Sequence, residues 1–296
     1  MSELYIKSPL NYVGGKYKIL DQIIPKFPKK INTFVDLFGG GFNVGINVNA
    51  ETIIYNDVIE PLCELMNYFS DNTANEIIEK LENNISKNEL NKENTEAFLK
   101  LRNKYNHTIY ENEDERILDF YSLILYSFNY QIRFNQNMQY NTPFGKNRSS
   151  YNQNTKKNLK QFIDKINKVN LRISKDKFID FDFSDLGKDD FVYCDPPYLI
   201  TTGSYNDGNR GIKDWTVDDE KQLLNVLDDL NSRGVKFALS NVLIANNKKN
   251  EILTNWSEKY NIYIIKNTFD NSNYRRKNKK DTIEVLITNY GEVENE

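Results

Sequence analysis

Apolar residues in this chain fall into short blocks, and most of the blocks stop at an acidic or amide residue. Thr33-Phe34-Val35-Asp36-Leu37-Phe38, Thr52-Ile53-Ile54-Tyr55, Phe178-Ile179-Asp180-Phe181 and Phe191-Val192-Tyr193-Cys194 each read as a strand. Residues 235–241, 262–265 and 282–289 read the same way. Helical spacing separates them. Ile19, Leu20, Ile23 and Ile24 share one face that Pro25 and Pro28 close. Residues 43–48 read as a short helix. Thr216 and Asp219 resemble a capping box opening a helix with Leu223, Leu224, Leu227 and Leu230 inward and Gly234 at its end. The pattern is that of an α/β sheet.

From residue 61 to 171 the rhythm changes to Asn-rich, charged helical stretches. Leu99, Leu101 and Tyr105 mark one helix, and the apolar run 117–126 marks a buried one. Two aromatic segments around the polar turn Gln136-Asn137 then read as a hairpin spanning residues 128–146. The expected organisation is a catalytic domain of residues 1–60 and 172–296, interrupted by an inserted domain of residues 61–171.

The most informative stretch is Tyr193-Cys194-Asp195-Pro196-Pro197-Tyr198. Two prolines forbid further ladder pairing, so the strand must stop at Asp195. A carboxylate at the carboxyl end of a strand sits where open α/β sheets place their chemistry. Asp195, the Pro196 carbonyl and the Tyr198 ring would face one small space, suited to a planar amino group on a flat ring. A solvated acid before a rigid turn is the plain alternative for these residues taken alone.

Two glycine-rich stretches point to a cofactor. Gly14-Gly15-Lys16 places backbone N–H groups and a cation near a helix start, an anion site or simply a glycine turn. The strand ending at Phe38 runs into Gly39-Gly40-Gly41, and Asp57 follows the next strand roughly 20 residues on, able to hold a ribose by its hydroxyl pair. Strand, glycine turn and acid fit a nicotinamide dinucleotide or a nucleoside cofactor without phosphates. The separate acceptor site at Asp195 favours the second, because methylation of an exocyclic amine needs it and hydride transfer does not.

Composition narrows the chemistry further. The chain has 296 residues, two widely separated cysteines, Cys63 and Cys194, and one histidine, His107. Disulfide frameworks, metal clusters and His-based triads are therefore not expected. No apolar run approaches the ~20 residues of a membrane span and no charged-then-apolar leader opens the sequence, which reads as cytoplasmic. Net charge is −3, yet Asp and Glu are absent from residues 128–160 while Arg133, Lys146, Arg148, Lys156, Lys157 and Lys160 lie there. Arg275, Arg276, Lys277, Lys279 and Lys280 form a second basic cluster. Two such clusters in an acidic chain suggest a phosphate backbone, and the Arg, Asn and Gln of the hairpin suit base edges in the major groove.

In this order the motifs N-Y-V-G-G-K, D-L-F-G-G-G, Y-N-D, Y-C-D-P-P-Y, S-N at Ser240-Asn241 and R-R-K-N-K-K-D-T-I-E-V-L-I-T-N-Y resemble those of the Dam-type DNA adenine-N6 methyltransferases. The resemblance implies a seven-stranded, Rossmann-like methyltransferase domain that binds S-adenosylmethionine, with an inserted DNA-recognition domain. It implies cofactor contacts from Tyr12, Lys16, Asp57 and Asp195, with Asp36, Phe38, Gly39, Gly40 and Gly41 beside them and Asp182 and Phe183 near the cofactor's adenine. Tyr12 stands where the family commonly has Trp. In the hairpin, Phe128, Asn129, Arg133 and Pro143-Phe144-Gly145 match the spacing of relatives that modify GATC, so a GA-containing site such as GATC is the expectation.

DNA contacts are expected from Phe128, Asn129, Arg133, Asn135, Pro143, Lys146, Arg148, Arg275, Arg276 and Lys277. The target base would be flipped out of the duplex and held on Tyr198, with Asp195 and the Pro196 carbonyl taking its amino hydrogens for direct transfer. The Pro-Pro motif completes the catalytic set with Pro197. Double-stranded DNA is the expected partner, with a cognate restriction endonuclease acting on the same site as a further possibility. Methylation of cytosine N4 or of RNA, a nicotinamide-dependent oxidoreductase, and a DNA-binding protein without turnover are the competing readings.

Overall fold

A computed structural model of the chain describes residues 5–12, 14–201, 215–266 and 282–291. Its centre is a mixed sheet of β1 (Thr33–Asp36), β2 (Thr52–Asn56), β3 (Leu171–Ser174), β4 (Phe191–Cys194), β5 (Lys236–Ala245), β6 (Lys248–Lys249), β7 (Asn261–Ile265) and β8 (Ile283–Thr288). Seven strands run in the order β3-β2-β1-β4-β5-β8-β7, and the two-residue β6 pairs with β5 off this path. Strands β3 through β5 in that order are parallel, while β8 is antiparallel to both β5 and β7.

Alternation along the central strands feeds two cores. Phe34, Ile53, Tyr55, Phe191 and Tyr193 turn to one face, where they join the apolar residues of helices α2 (Glu60–Asp71), α3 (Ala74–Lys87), α4 (Thr95–His107), α5 (Glu113–Tyr126) and α6 (Gln153–Ile166). Val35, Val192, Cys194, Phe237 and Leu239 turn to the other, under helices α7 (Val217–Ser232) and α8 (Glu251–Ser257). Both faces are covered, so the strands read as nearly unbroken apolar runs. The α1 segment (Leu20–Ile23) lies between two 3-10 turns and buries Leu20 and Ile23.

Most expected elements are present. The Thr216–Asp219 capping box closes with both reciprocal hydrogen bonds, and Leu223, Leu224, Leu227 and Leu230 of α7 are buried. Three expectations are corrected. Residues 178–181 form a turn rather than a strand, with the Asp180 and Phe181 N–H groups donating to Lys177 O at 2.9 and 3.0 Å. Phe178 and Phe181 are buried while Ile179 is 47% exposed, a spacing of three that a strand cannot produce. The strand beside β2 is β3, seven residues earlier, and its partial burial at the sheet edge left little apolar signal.

The helix expected around Leu99, Leu101 and Tyr105 is α4, whose inward face is Ala97, Phe98 and Leu101, with Leu99 exposed. Residues 43–48 contain only a 3-10 turn at Gly45–Asn47.

The hairpin keeps its connectivity without continuous strands. Phe128 N donates to Pro143 O at 2.8 Å, Asn141 N to Arg133 O at 3.0 Å and Asn135 N to Gln139 O at 2.9 Å. Its ladder reduces to single bridges, Ser127 with Phe144 and Phe134 with Tyr140. Asn129 and Tyr130 adopt left-handed φ values of 55° and 57°, which interrupts any regular strand. The basic residues Arg275, Arg276, Lys277, Lys279 and Lys280 lie outside the described residues. Among the described residues, no helix is long and apolar enough to cross a membrane.

Candidate active site

Chain order reverses direction at β1, whose neighbours are β2 and β4. Such a switch point opens a crevice beyond the carboxyl ends of its two strands. Asp36 ends β1 and Asp195 follows β4, so two carboxylates flank that crevice. Tyr12, Gly14, Gly15, Lys16, Asp36, Phe38, Gly39, Gly40, Gly41, Asn43, Val44, Tyr193 and Asp195 line it together.

The glycine turn is shaped by close approach. A Cβ on Gly39 would lie 2.3 Å from the Tyr55 ring, and Gly40, at φ +46°, carries Tyr12 against its α-carbon. Tyr55 Oη donates to Gly40 O at 2.9 Å and Gly40 N donates to Asp57 Oδ2 at 2.8 Å. The second Asp57 oxygen accepts from Ile59 N at 2.8 Å. Asp57 thereby pins the turn to the end of β2.

Burial dominates the two acids behind the turn. Asp36 is pushed up to about 7 by desolvation, opposed by the Gly45 N–H that donates to its Oδ2 at 3.0 Å. Asp57 is pushed up to about 6 by the same cause, against the two backbone N–H groups it accepts. Burial also raises the Tyr12 phenol, with the Asp57 charge adding to it.

At the other side of the crevice Lys16 is 4% exposed. Its Nζ donates to Gly14 O at 2.7 Å and lies 2.7 Å from Asp195 Oδ2. The other Asp195 oxygen accepts from Tyr198 Oη at 2.9 Å. Pro196 is buried and Pro197 is exposed, so the double-proline turn carries Tyr198 back over the strand end, with Lys16 Nζ 5.2 Å from its ring centroid. Both Asp195 oxygens are therefore engaged within the protein.

The structure brings Tyr12, Lys16, Asp36, Phe38, Gly39, Gly40, Gly41 and Asp195 around one crevice, with Asp57 directly behind it. Asp182 and Phe183 are not in its lining. Asp182 is exposed and accepts from Ser184 N at 2.9 Å, which holds its carboxyl below the usual range. Phe183 packs against Phe181 with tilted rings 4.8 Å apart, and it is Phe178 that reaches Phe38, with ring centroids 5.7 Å apart.

Among the expected DNA contacts, Lys146, Arg148 and Pro143 are exposed, and the Arg148 guanidinium lies 4.6 Å from the Phe128 ring centroid. Arg133 Nε donates to Asn141 Oδ1 at 3.1 Å. Asn135 folds the hairpin tip instead of projecting from it: its Oδ1 accepts from Asn137 N and Gln139 N, both at 3.0 Å. Lys156 pairs with Glu82 at 2.6 Å and Lys160 with Asp164 at 3.6 Å, so part of that basic stretch is neutralised within the fold.

Three residues around the site lie within the matched motifs but were given no role from the sequence. Glu284, on β8, places Oε1 3.4 Å from Tyr198 Oη and 4.0 Å from Lys16 Nζ. It is the one charge in β8, next to the apolar run Val285-Leu286-Ile287, and that mismatch is the clue that could have found it. Tyr193 Oη hydrogen-bonds Ser240 Oγ at 2.8 Å, tying the end of β4 to β5. Asn11 Nδ2 donates to Asn129 O at 2.7 Å, and Asn11 bridges to Gln131. The segment preceding Tyr12 is thus joined to the loop that opens the hairpin.

The family model of the D12 class N6 adenine-specific DNA methyltransferases matches residues 12–271. Across 286 residues the chain is 52% identical to the type II methyltransferase M.FokI of Planomicrobium okeanokoites, covering 97% of this chain and 43% of that protein. It is 47% identical to the modification methylase StsI of Streptococcus sanguinis, again covering 97% of this chain and 43% of the relative. It is 37% identical to the modification methylase LlaI of Lactococcus lactis subsp. lactis, over 97% of this chain and 44% of that protein. The chain spans less than half the length of these three relatives.

Proposed function

This chain belongs to the D12 class N6 adenine-specific DNA methyltransferases, and from that premise we propose that it moves a methyl group from S-adenosylmethionine to N6 of adenine in double-stranded DNA. The observation that carries the reading is the placement of Asp195 at the switch point, beside Lys16 and across from the glycine turn. Names of the relatives as modification methylases support a role in restriction-modification, with a cognate endonuclease of the same site as counterpart and the cytoplasm as its place of action.

The crevice residues fit the cofactor. The backbone of Gly39, Gly40 and Gly41 lines the crevice, held there by the Tyr55 and Tyr12 rings packed behind Gly39 and Gly40, and Asp36 adds a carboxyl group to the lining while Asp57 stands behind the turn to meet a hydroxyl pair. Tyr12, Lys16, Phe38, Gly41 and Asp195 complete the holding set. Asp182 and Phe183 would act from the adjoining turn, with Phe178 supporting Phe38. Bound S-adenosylmethionine supplies an electrophilic methyl group.

The amino nitrogen of adenine is a poor nucleophile because its lone pair is delocalised into the ring. Asp195 and the Pro196 carbonyl accept hydrogen bonds from its two N–H groups and draw the lone pair out of conjugation, and as the new N–C bond forms one of those protons departs to solvent by way of Asp195. This is orientation plus stabilisation of positive charge developing on nitrogen, worth on the order of 3 kcal/mol for one well-placed group. Tyr198 supplies the flat surface for a base turned out of the stack, the only way a duplex base reaches such a recess.

Recognition falls to the segment 61–171 as a unit, with Arg133 reading a guanine beside the target adenine in a GA-containing site such as GATC. Phe128, Asn129, Pro143, Lys146 and Arg148 lie along the DNA from the hairpin, with Arg275, Arg276 and Lys277 on phosphates. Incubating the protein with labelled cofactor and duplex DNA, then mapping modified bases by sequencing, tests activity and site together. Label in cytosine or in RNA, or none, overturns the reading.

A further inference from the structure

An incoming base amine meets an Asp195 whose two oxygens each already hold a partner, so a short, well-aimed hydrogen bond to it competes with one of them. Lys16 holds Oδ2 at 2.7 Å as a charge pair whose side chains are 5% and 18% exposed, and Tyr198 holds Oδ1 through a neutral hydroxyl at 2.9 Å. Both partners bind a carboxylate, but only the Lys16 contact joins two opposite charges, and it is the shorter of the two, so Oδ1 is the oxygen that opens. Opening it strips the Tyr198 hydroxyl of its partner, and a recessed donor left unmade carries a real cost.

Glu284 is built into β8 where it meets that need. It faces the gap between Tyr198 and Lys16 with its side chain 14% exposed, and its Oε1 lies 3.4 Å from the same hydroxyl. Neighbouring positions on β8 are apolar and buried at Val285, Leu286 and Ile287, so a carboxylate there serves no packing purpose.

We propose that Glu284 is a positioning residue of the transfer site, receiving the Tyr198 hydroxyl when the target adenine claims Asp195 Oδ1. The two acceptors stand 2.9 and 3.4 Å from one oxygen, so the handover needs a small tilt of the phenol and no change of rotamer. Tyr198 then stays anchored as an aromatic surface while the base binds. This inference rests on the methyl-transfer reading above and names a residue that reading does not use.

The test is single-turnover methylation of a duplex that the parent protein modifies, with cofactor affinity measured separately in the absence of DNA. Glu284→Ala is expected to slow transfer about tenfold, the scale of one recessed donor left without an acceptor, at unchanged cofactor affinity. Glu284→Gln, which keeps an acceptor oxygen and nearly the same shape, restores most of the rate. In a Tyr198→Phe background the Glu284→Ala change adds nothing further, because the hydroxyl it serves is gone. Parental rates in Glu284→Ala, a loss confined to cofactor binding, failure of Glu284→Gln to recover, or an undiminished further loss in the Tyr198→Phe background each overturn the inference. A parent that methylates no adenine would instead overturn the functional reading itself.

Discussion

Lys16 and Asp195 form a 2.7 Å ion pair across the switch-point crevice, joining the glycine segment near the start of the chain to the end of the central strand β4. Among the described residues, neither partner has another counter-ion as near. Replacing Lys16 with Met leaves the carboxylate without its cation in a recess where it is 18% exposed. Removing one member of a buried pair costs about 3–5 kcal/mol, and the residual exposure of Asp195 reduces that to roughly 2. Urea unfolding of Lys16→Met should report a loss of that size, and the double change Lys16→Met with Asp195→Asn should recover much of it. Equal stability of the single variant and the parent would contradict the pairing.

Asp195→Ala removes the proposed acceptor of an amino hydrogen. Methyl transfer to duplex DNA should fall on the order of a hundredfold or more, with the sheet intact because Asp195 lies beyond the last ladder position of β4. Rates near the parent's, in a protein with unchanged circular dichroism, would remove Asp195 from the chemistry.

Arg133→Ala should relax the sequence preference rather than merely weaken binding, by the ~1–3 kcal/mol of a base-edge contact. Asn141→Ala removes the oxygen that accepts from Arg133 Nε at 3.1 Å, so it should give a weaker form of the same phenotype. Competition between matched and single-substituted duplexes measures both. Undiminished discrimination by Arg133→Ala would reassign recognition to another residue.

Asp36 sets a pH dependence with a definite sign. Its carboxyl titrates at about 7 in the folded chain against an ordinary 3.8, because burial disfavours the charged form. Below the ordinary value both states are protonated and its contribution is fully present; as pH rises toward 7 the unfolded chain ionises first and that stability is lost. Asp36→Asn, which still offers an oxygen to the Gly45 N–H, should flatten this decline. Melting temperatures at pH 5 and pH 8 for parent and variant test it: an unchanged difference between the two pH values would mean Asp36 is not the titrating group.

The sheet and the crevice were legible because their signals are local. Two prolines after Asp195 and three glycines after Phe38 dictate where strands end whatever the tertiary context. The 178–181 turn was not legible, because four residues with three apolar side chains satisfy a strand or a turn equally until burial separates Phe178 and Phe181 from Ile179. Edge strand β3 failed for the opposite reason, being only partly buried and marked by little apolar character. Glu284 belongs to a third class. Its partners, Lys16 and Tyr198, are brought to it by sheet order, and no spacing along the chain reveals that β8 lies beside β5 and near the end of β4.

The Asn11 side-chain amide reaches Asn129 O, and the same residue bridges to Gln131. Because both contacts fall on main-chain atoms of the 129–131 loop, an exchange of residues 61–171 keeps that clasp only if the incoming loop follows the same backbone path past position 11. Exchange of that segment therefore meets a junction near the amino end as well as the two cut points and the core that its helices share with the sheet.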